Sequence, residues 1–126
     1  MTNALWCVMI AALMPLAGSI TAKLGSRMPI RANHHVREWL AGLDGWAKRA
    51  HWFQLNSLEA FPMFAAAVLT AQYLHAPQMR IDQLAIAFIG LRLAYFVFYL
   101  ADWATLRTLV WTGGFACTIA LFVTGA

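Results

Sequence analysis

Charge is scarce in this chain. Only 11% of its 126 residues are Asp, Glu, Lys or Arg, against 62% hydrophobic, where soluble domains average roughly 25% and 45–50%. So little polar surface excludes an ordinary soluble globule and leads to the expectation of a membrane protein, with one domain over residues 1–126 by length. Cysteine is nearly absent as well: Cys7 and Cys117 both sit in apolar runs and form no C-x-x-C or metal-type spacing. They read as small packed hydrophobes rather than as ligands, a disulfide or a redox pair. There is no G-x-S-x-G, H-E-x-x-H, P-loop or haem motif. His34, His35 and His75 fall in connections, with no second histidine one helical turn away to hold a metal. The net charge of +4 is no nucleic-acid footprint, because six of the nine cations lie between Lys23 and Arg49. The first of them follows the first apolar run, the reverse of a signal peptide, so that run reads as a retained span.

What the chain does have is apolar length. Runs of about 20 residues suffice to cross a bilayer, and four are expected, at about 4–23, 46–74, 83–101 and 105–124. Pro15 interrupts the first and Pro62 the second, where a bend near Glu59 is expected because Pro62 offers no donor to the Leu58 carbonyl. The long first connection carries Gly25, Ser26, Pro29, Asn33, Gly42 and Gly45 among its basic residues, with room for a short interfacial helix at Val36–Leu43 beside Trp39 and Trp46. The later connections are short, and short loops between long helices make antiparallel neighbours. The expected fold is therefore all-α, an antiparallel four-helix transmembrane bundle. Its basic first loop faces the cytoplasm under the positive-inside rule.

Within the second span lie groups that a bilayer disfavours. Arg49, Asn56 and Glu59 share one side of the helix, at about 20° and 80° from Arg49. A charge at the bilayer centre costs roughly 2.5–3.5 kcal/mol on insertion scales and normally faces a protein interior. Arg92, Tyr95, Tyr99 and Asp102 form a second stripe within about 80° on the third span. Arg92 sits mid-span and needs a partner, for which Glu59 is the candidate. Arg49, His51, Asn56, Glu59, Arg92, Tyr95, Tyr99 and Arg107 then make a basic, hydrogen-bonding cavity for a small anionic ligand. Two plainer readings stand beside it: a Glu59–Arg92 pair that fixes helix register, and cations that snorkel to lipid phosphates.

Arg49-Ala50 followed by Asn56-x-x-Glu59-Ala-Phe-Pro62-x-Phe64, then Arg92-x-x-Tyr95-x-x-x-Tyr99 and Arg107-x-x-x-Trp111, resembles the family of membrane-associated proteins in eicosanoid and glutathione metabolism (MAPEG), in its bacterial form. The resemblance covers essentially the whole chain. It implies a homotrimer in the bacterial inner membrane, in contact with lipid, that binds glutathione between subunits and acts as a transferase or peroxidase on small apolar electrophiles. Carried over by position, Asn56, Glu59, Arg92, Tyr99 and Arg107 become glutathione-binding residues. Arginines would hold the tripeptide carboxylates, Glu59 its amine, and Arg107 would stabilise the thiolate as the catalytic group. The mammalian enzymes carry further arginines one and four residues before the helix-2 asparagine, where Leu55 and Trp52 stand here. The alternative is a non-catalytic protein that binds lipid or serves as an accessory subunit of a larger membrane complex.

Overall fold

The computed structural model describes all 126 residues and contains no strand. Along the chain run α1 (Asn3–Gly25), a 3₁₀ turn (Ile30–His35), α2 (Val36–Ala41), α3 (Gly45–Tyr73), α4 (Gln78–Leu100) and α5 (Ala104–Thr124). There are thus five helices rather than four, the extra one being the short α2 expected near the first connection. By length and composition three helices, α1, α4 and α5, are apolar enough to cross a membrane. The longest, α3 with 29 residues, is not among them. Lys48, Arg49, Gln54, Asn56 and Glu59 dilute its hydropathy.

Three of the four long helices end in the same way. After α1 the Met28 N–H reaches the Lys23 carbonyl and the Arg27 N–H the Leu24 carbonyl; Ala76 and His75 do the same for α3, and Trp103 and Asp102 for α4. These are Schellman caps, which need a left-handed residue just past the helix. Arg27, His75 and Asp102 supply it at φ 51°, 55° and 60°. Glycine is the usual residue there, and none of these three positions has it. Pro77, with φ already near the helical value, caps α4, so that helix begins five residues before the expected Gln83 and takes Asp82 into its first turns. Pro62 lies within an unbroken α3.

α1 packs chiefly on α3, and α4 on α5, while α3 and α4 join the two pairs. The α1–α3 contact is close enough that a Cβ on Gly18 would stand 2.8 Å from the Ala50 carbonyl oxygen, so only glycine fits there. Phe53, Phe64, Val68, Ile81 and Leu121 are fully buried, and Phe64 stacks on Phe88 with ring centroids 3.9 Å apart. A smaller core of Ala22, Leu40, Leu43, Ala47 and Ala50 pins the first connection against the bundle. Leu13, Leu16, Ile86, Val97 and Leu109 remain more than half exposed on the outer faces, as helices solvated by lipid require.

The two ends of the bundle differ. At one, Asp82 accepts from the Ala4 N–H at 2.9 Å and from Gln78 Nε2 at 2.8 Å, and Gln72 Nε2 donates to Thr2 Oγ1 at 3.0 Å. At the other, the first connection folds over the ends of α1 and α3, and the functional candidates gather.

Candidate functional site

The site is built from the inside out around Arg92. Its side chain is 3% exposed, and an isolated guanidinium so placed would be costly. Nη1 donates to Asn56 Oδ1 and Nη2 to Ser57 Oγ, each at 2.8 Å. The Tyr95 ring lies 4.5 Å and the Phe53 ring 5.5 Å from the guanidinium carbon, within cation–π range. No buried side-chain nitrogen or oxygen is left without a partner.

The expected Glu59–Arg92 pair is therefore replaced. Neutral oxygens from Asn56 and Ser57 satisfy Arg92, and Glu59 stays exposed on the wall of the cleft. The physical consequence matters for function. Neutral acceptors satisfy hydrogen bonds without cancelling charge, so Arg92 retains its full positive field. Ser57 itself escaped the sequence reading; its signal was a hydroxyl in mid-helix next to Asn56, across from an arginine that needed acceptors.

Two clefts open from this centre. The first, of about 210 Å³, lies between α3, α4 and α5, with Asn56, Glu59, Arg92 and Thr118 as its polar side chains and Met63, Phe88 and Phe115 among its apolar ones. The second, of about 220 Å³, is lined by Tyr95, Tyr99, Arg107, Thr108 and Trp111. Trp111 belongs to both and stacks parallel to Phe115 at 5.7 Å, so the two clefts adjoin across one indole. Arg107 rests 4.4 Å over the Tyr99 ring, and Tyr99 meets Tyr95 edge-on at 5.3 Å. A planar cation over a ring face keeps its in-plane N–H donors free for a ligand.

Six of the eight candidates thus meet around the two clefts: Asn56, Glu59, Arg92, Tyr95, Tyr99 and Arg107. The other two do not line them. Arg49 donates from Nε to the Tyr99 carbonyl and from Nη2 to the Leu100 carbonyl, both at 3.1 Å. It therefore caps the C-terminal end of α4, where a cation also complements the helix dipole. His51 pairs its Nδ1 with Gln54 Oε1 at 3.1 Å, one turn along its own helix. Arg49 lies on the face shared with Asn56 and Glu59, but a shared face carries no information on the neighbouring backbone; His51, two residues on, is turned about 160° away from Arg49.

The arrangement suits an anion with one cationic group: two guanidinium groups in adjoining clefts, a free carboxylate, and an apolar annex. No cluster of His, Cys, Asp and Glu could hold a metal ion. Comparison with curated proteins and with solved structures finds no match. The model of the MAPEG family matches residues 3–126. With three helices of membrane length and apolarity and that match over essentially its whole length, the chain is an integral membrane protein of the MAPEG family.

Proposed function

We propose that this protein is a glutathione-dependent membrane transferase or peroxidase that acts on small apolar electrophiles. Members of the family generally use glutathione, and the observation that carries the reading to this chain is Arg92. It is a buried cation held by neutral oxygens, with Glu59 left free beside it and Arg107 in the adjoining cleft. The donor set fits the tripeptide: guanidinium groups for its carboxylates, a carboxylate for its ammonium, and tyrosine hydroxyls for its amides. The glutathione thiolate attacks the electrophilic carbon and forms a carbon–sulfur bond as the leaving group departs with its bonding pair, the thiol proton passing to solvent. With a hydroperoxide it attacks the O–O bond and releases the alcohol, and a second glutathione completes the reduction as disulfide and water. Arg107 favours the ionised thiol by proximity of positive charge, and the apolar residues of the first cleft receive an electrophile arriving from lipid.

The same reading takes α3 as a fourth membrane-crossing helix whose polar face is covered by a neighbouring subunit in a homotrimer. Exposed Glu59, which has no partner within its own chain, supports this. It also places the basic first connection on the cytoplasmic side of a bacterial inner membrane.

The test is binding and turnover in folded protein. Millimolar glutathione raises the melting temperature of the wild type, by the equivalent of ~2.7 kcal/mol at a hundredfold excess over Kd, and Arg107→Ala loses both that shift and thiol conjugation to an electrophilic arene. No shift at any glutathione concentration up to tens of millimolar would overturn the proposal. The competing reading, a non-catalytic lipid-binding protein or accessory subunit, draws on Trp52 and Leu55 standing where mammalian enzymes carry arginines. It predicts co-purifying lipid or partner chains and no conjugation.

A further inference from the structure

We infer that the first connection is a docking surface for acidic phospholipid headgroups. Between Lys23 and Arg49 the chain carries six cations against two acids. The opposite end of the bundle has only Arg80 and Asp82. Not all six are available: Arg49 is spent on the α4 carbonyls, and Lys48 lies 5.4 Å over Trp52. Arg27, Arg31 and Arg37 are exposed, as are His34 and His35 beside them. None of the three arginine side chains meets an acid of this chain. Arg27, moreover, is held in the left-handed cap of α1.

The surface is preformed. Leu40 and Leu43 belong to the small core under the connection, Ala32 is buried, and Trp39 Nε1 donates to Ser26 Oγ at 3.2 Å. The cations are thus displayed from a fixed backbone, which lowers the ordering cost of binding. Between Arg27 and Arg31 stands Ile30, 93% exposed, with Leu24 75% exposed at the end of α1. An isoleucine turned so fully outward among cations is poorly placed against water and well placed against the headgroup boundary of a bilayer, where charge and apolar side chain are both satisfied. Those neighbours decide the occupant, because a soluble phosphate would use the arginines and leave Ile30 and Leu24 wet. Each cation near an anionic leaflet strengthens association by roughly fivefold.

The test uses the full-length protein in mixed detergent micelles of phosphatidylglycerol and phosphatidylcholine, with retained lipid counted by native mass spectrometry. Wild type retains phosphatidylglycerol over phosphatidylcholine by at least about tenfold, and 0.5 M chloride reduces that preference. The triple variant Arg27→Gln, Arg31→Gln, Arg37→Gln falls to near parity, while Arg80→Gln, at the other end, keeps the wild-type ratio. Circular dichroism verifies that each variant is helical; should the triple variant not fold, the single variant Arg31→Gln lowers the ratio, and Ile30→Ser lowers the total lipid retained. Equal retention of the two lipids by wild type, an unchanged ratio in the folded arginine variants, or loss of the preference to inorganic phosphate but not to chloride at the same ionic strength would overturn the assignment. None of these outcomes depends on whether glutathione binds.

Discussion

Asp82, in the first turns of α4, and Arg92, past its middle, stand ten residues apart on the same helix, and the chain treats them differently. Asp82 is surrounded by donors from its own chain: the Ala4 N–H, Gln78 and, at 3.4 Å, Asn3 Nδ2. Arg92 has two short bonds to neutral oxygens, and the other charges of that end are not spent on it: Glu59 lines its cleft and Arg107 faces a tyrosine ring. The first end uses polar groups to hold helix ends together. The second satisfies its buried cation and leaves charge over. Binding chemistry belongs where unused donors and acceptors converge, and in this molecule they converge at one end only.

Variants can break that contrast. The largest expected loss of stability is at the closed end. Asp82→Ala removes the acceptor of the Ala4 N–H and of two side chains and costs about 2–3 kcal/mol, taking ~1.5–3 for a hydrogen bond to a charged group, while the proposed glutathione binding per folded molecule is unchanged. Thermal melting in detergent with and without glutathione measures both; a change in ligand affinity would show that the two ends are coupled. Next comes Ser57→Ala, which leaves one buried Arg92 N–H without an acceptor and costs about 1–3 kcal/mol. Here stability and glutathione affinity fall together, because the guanidinium loses a fixed orientation. A stable Ser57→Ala protein with wild-type affinity would reduce Ser57 to packing.

Arg107→Ala separates the two properties again. It loses only the ring contact, about 0.5–1 kcal/mol, yet abolishes the proposed thiol chemistry. Turnover at the wild-type rate would remove Arg107 from the mechanism. The smallest effects are gains. His75→Gly at one end and Asp102→Gly at the other relieve a left-handed backbone, each raising stability by about 1 kcal/mol. A markedly smaller gain at Asp102 would mean that its side chain contributes to the open end.

Some of this could be read from residues alone, and the reason differs from case to case. The apolar runs located the long helices, since length and hydropathy need no tertiary partner. The asymmetry of basic residues singled out the first connection for the same reason. The stripe of Arg92, Tyr95 and Tyr99 followed from helical periodicity, and all three line or floor the clefts. Where the reading depended on what stands opposite, it went astray. Hydropathy starts the third span at about Gln83, whereas Pro77 caps α4 five residues earlier and Asp82 falls in its first turns. Arg49 was counted into the cavity because its face was right, but the α4 carbonyls were nearer. Glu59 was given to Arg92 on charge, a criterion that ignores which oxygens lie within reach.

The sequence by itself determined the helical, membrane-embedded character, the polar faces of α3 and α4, and the basic end, because composition and a 3.6-residue period are local properties of the chain. Tertiary structure alone decided which acceptor Arg92 would take, that Arg49 would become a helix cap, and that Trp111 would stand between two clefts. A hydrogen bond is won by the nearest well-oriented oxygen, and that distance exists only once α3, α4 and α5 have packed.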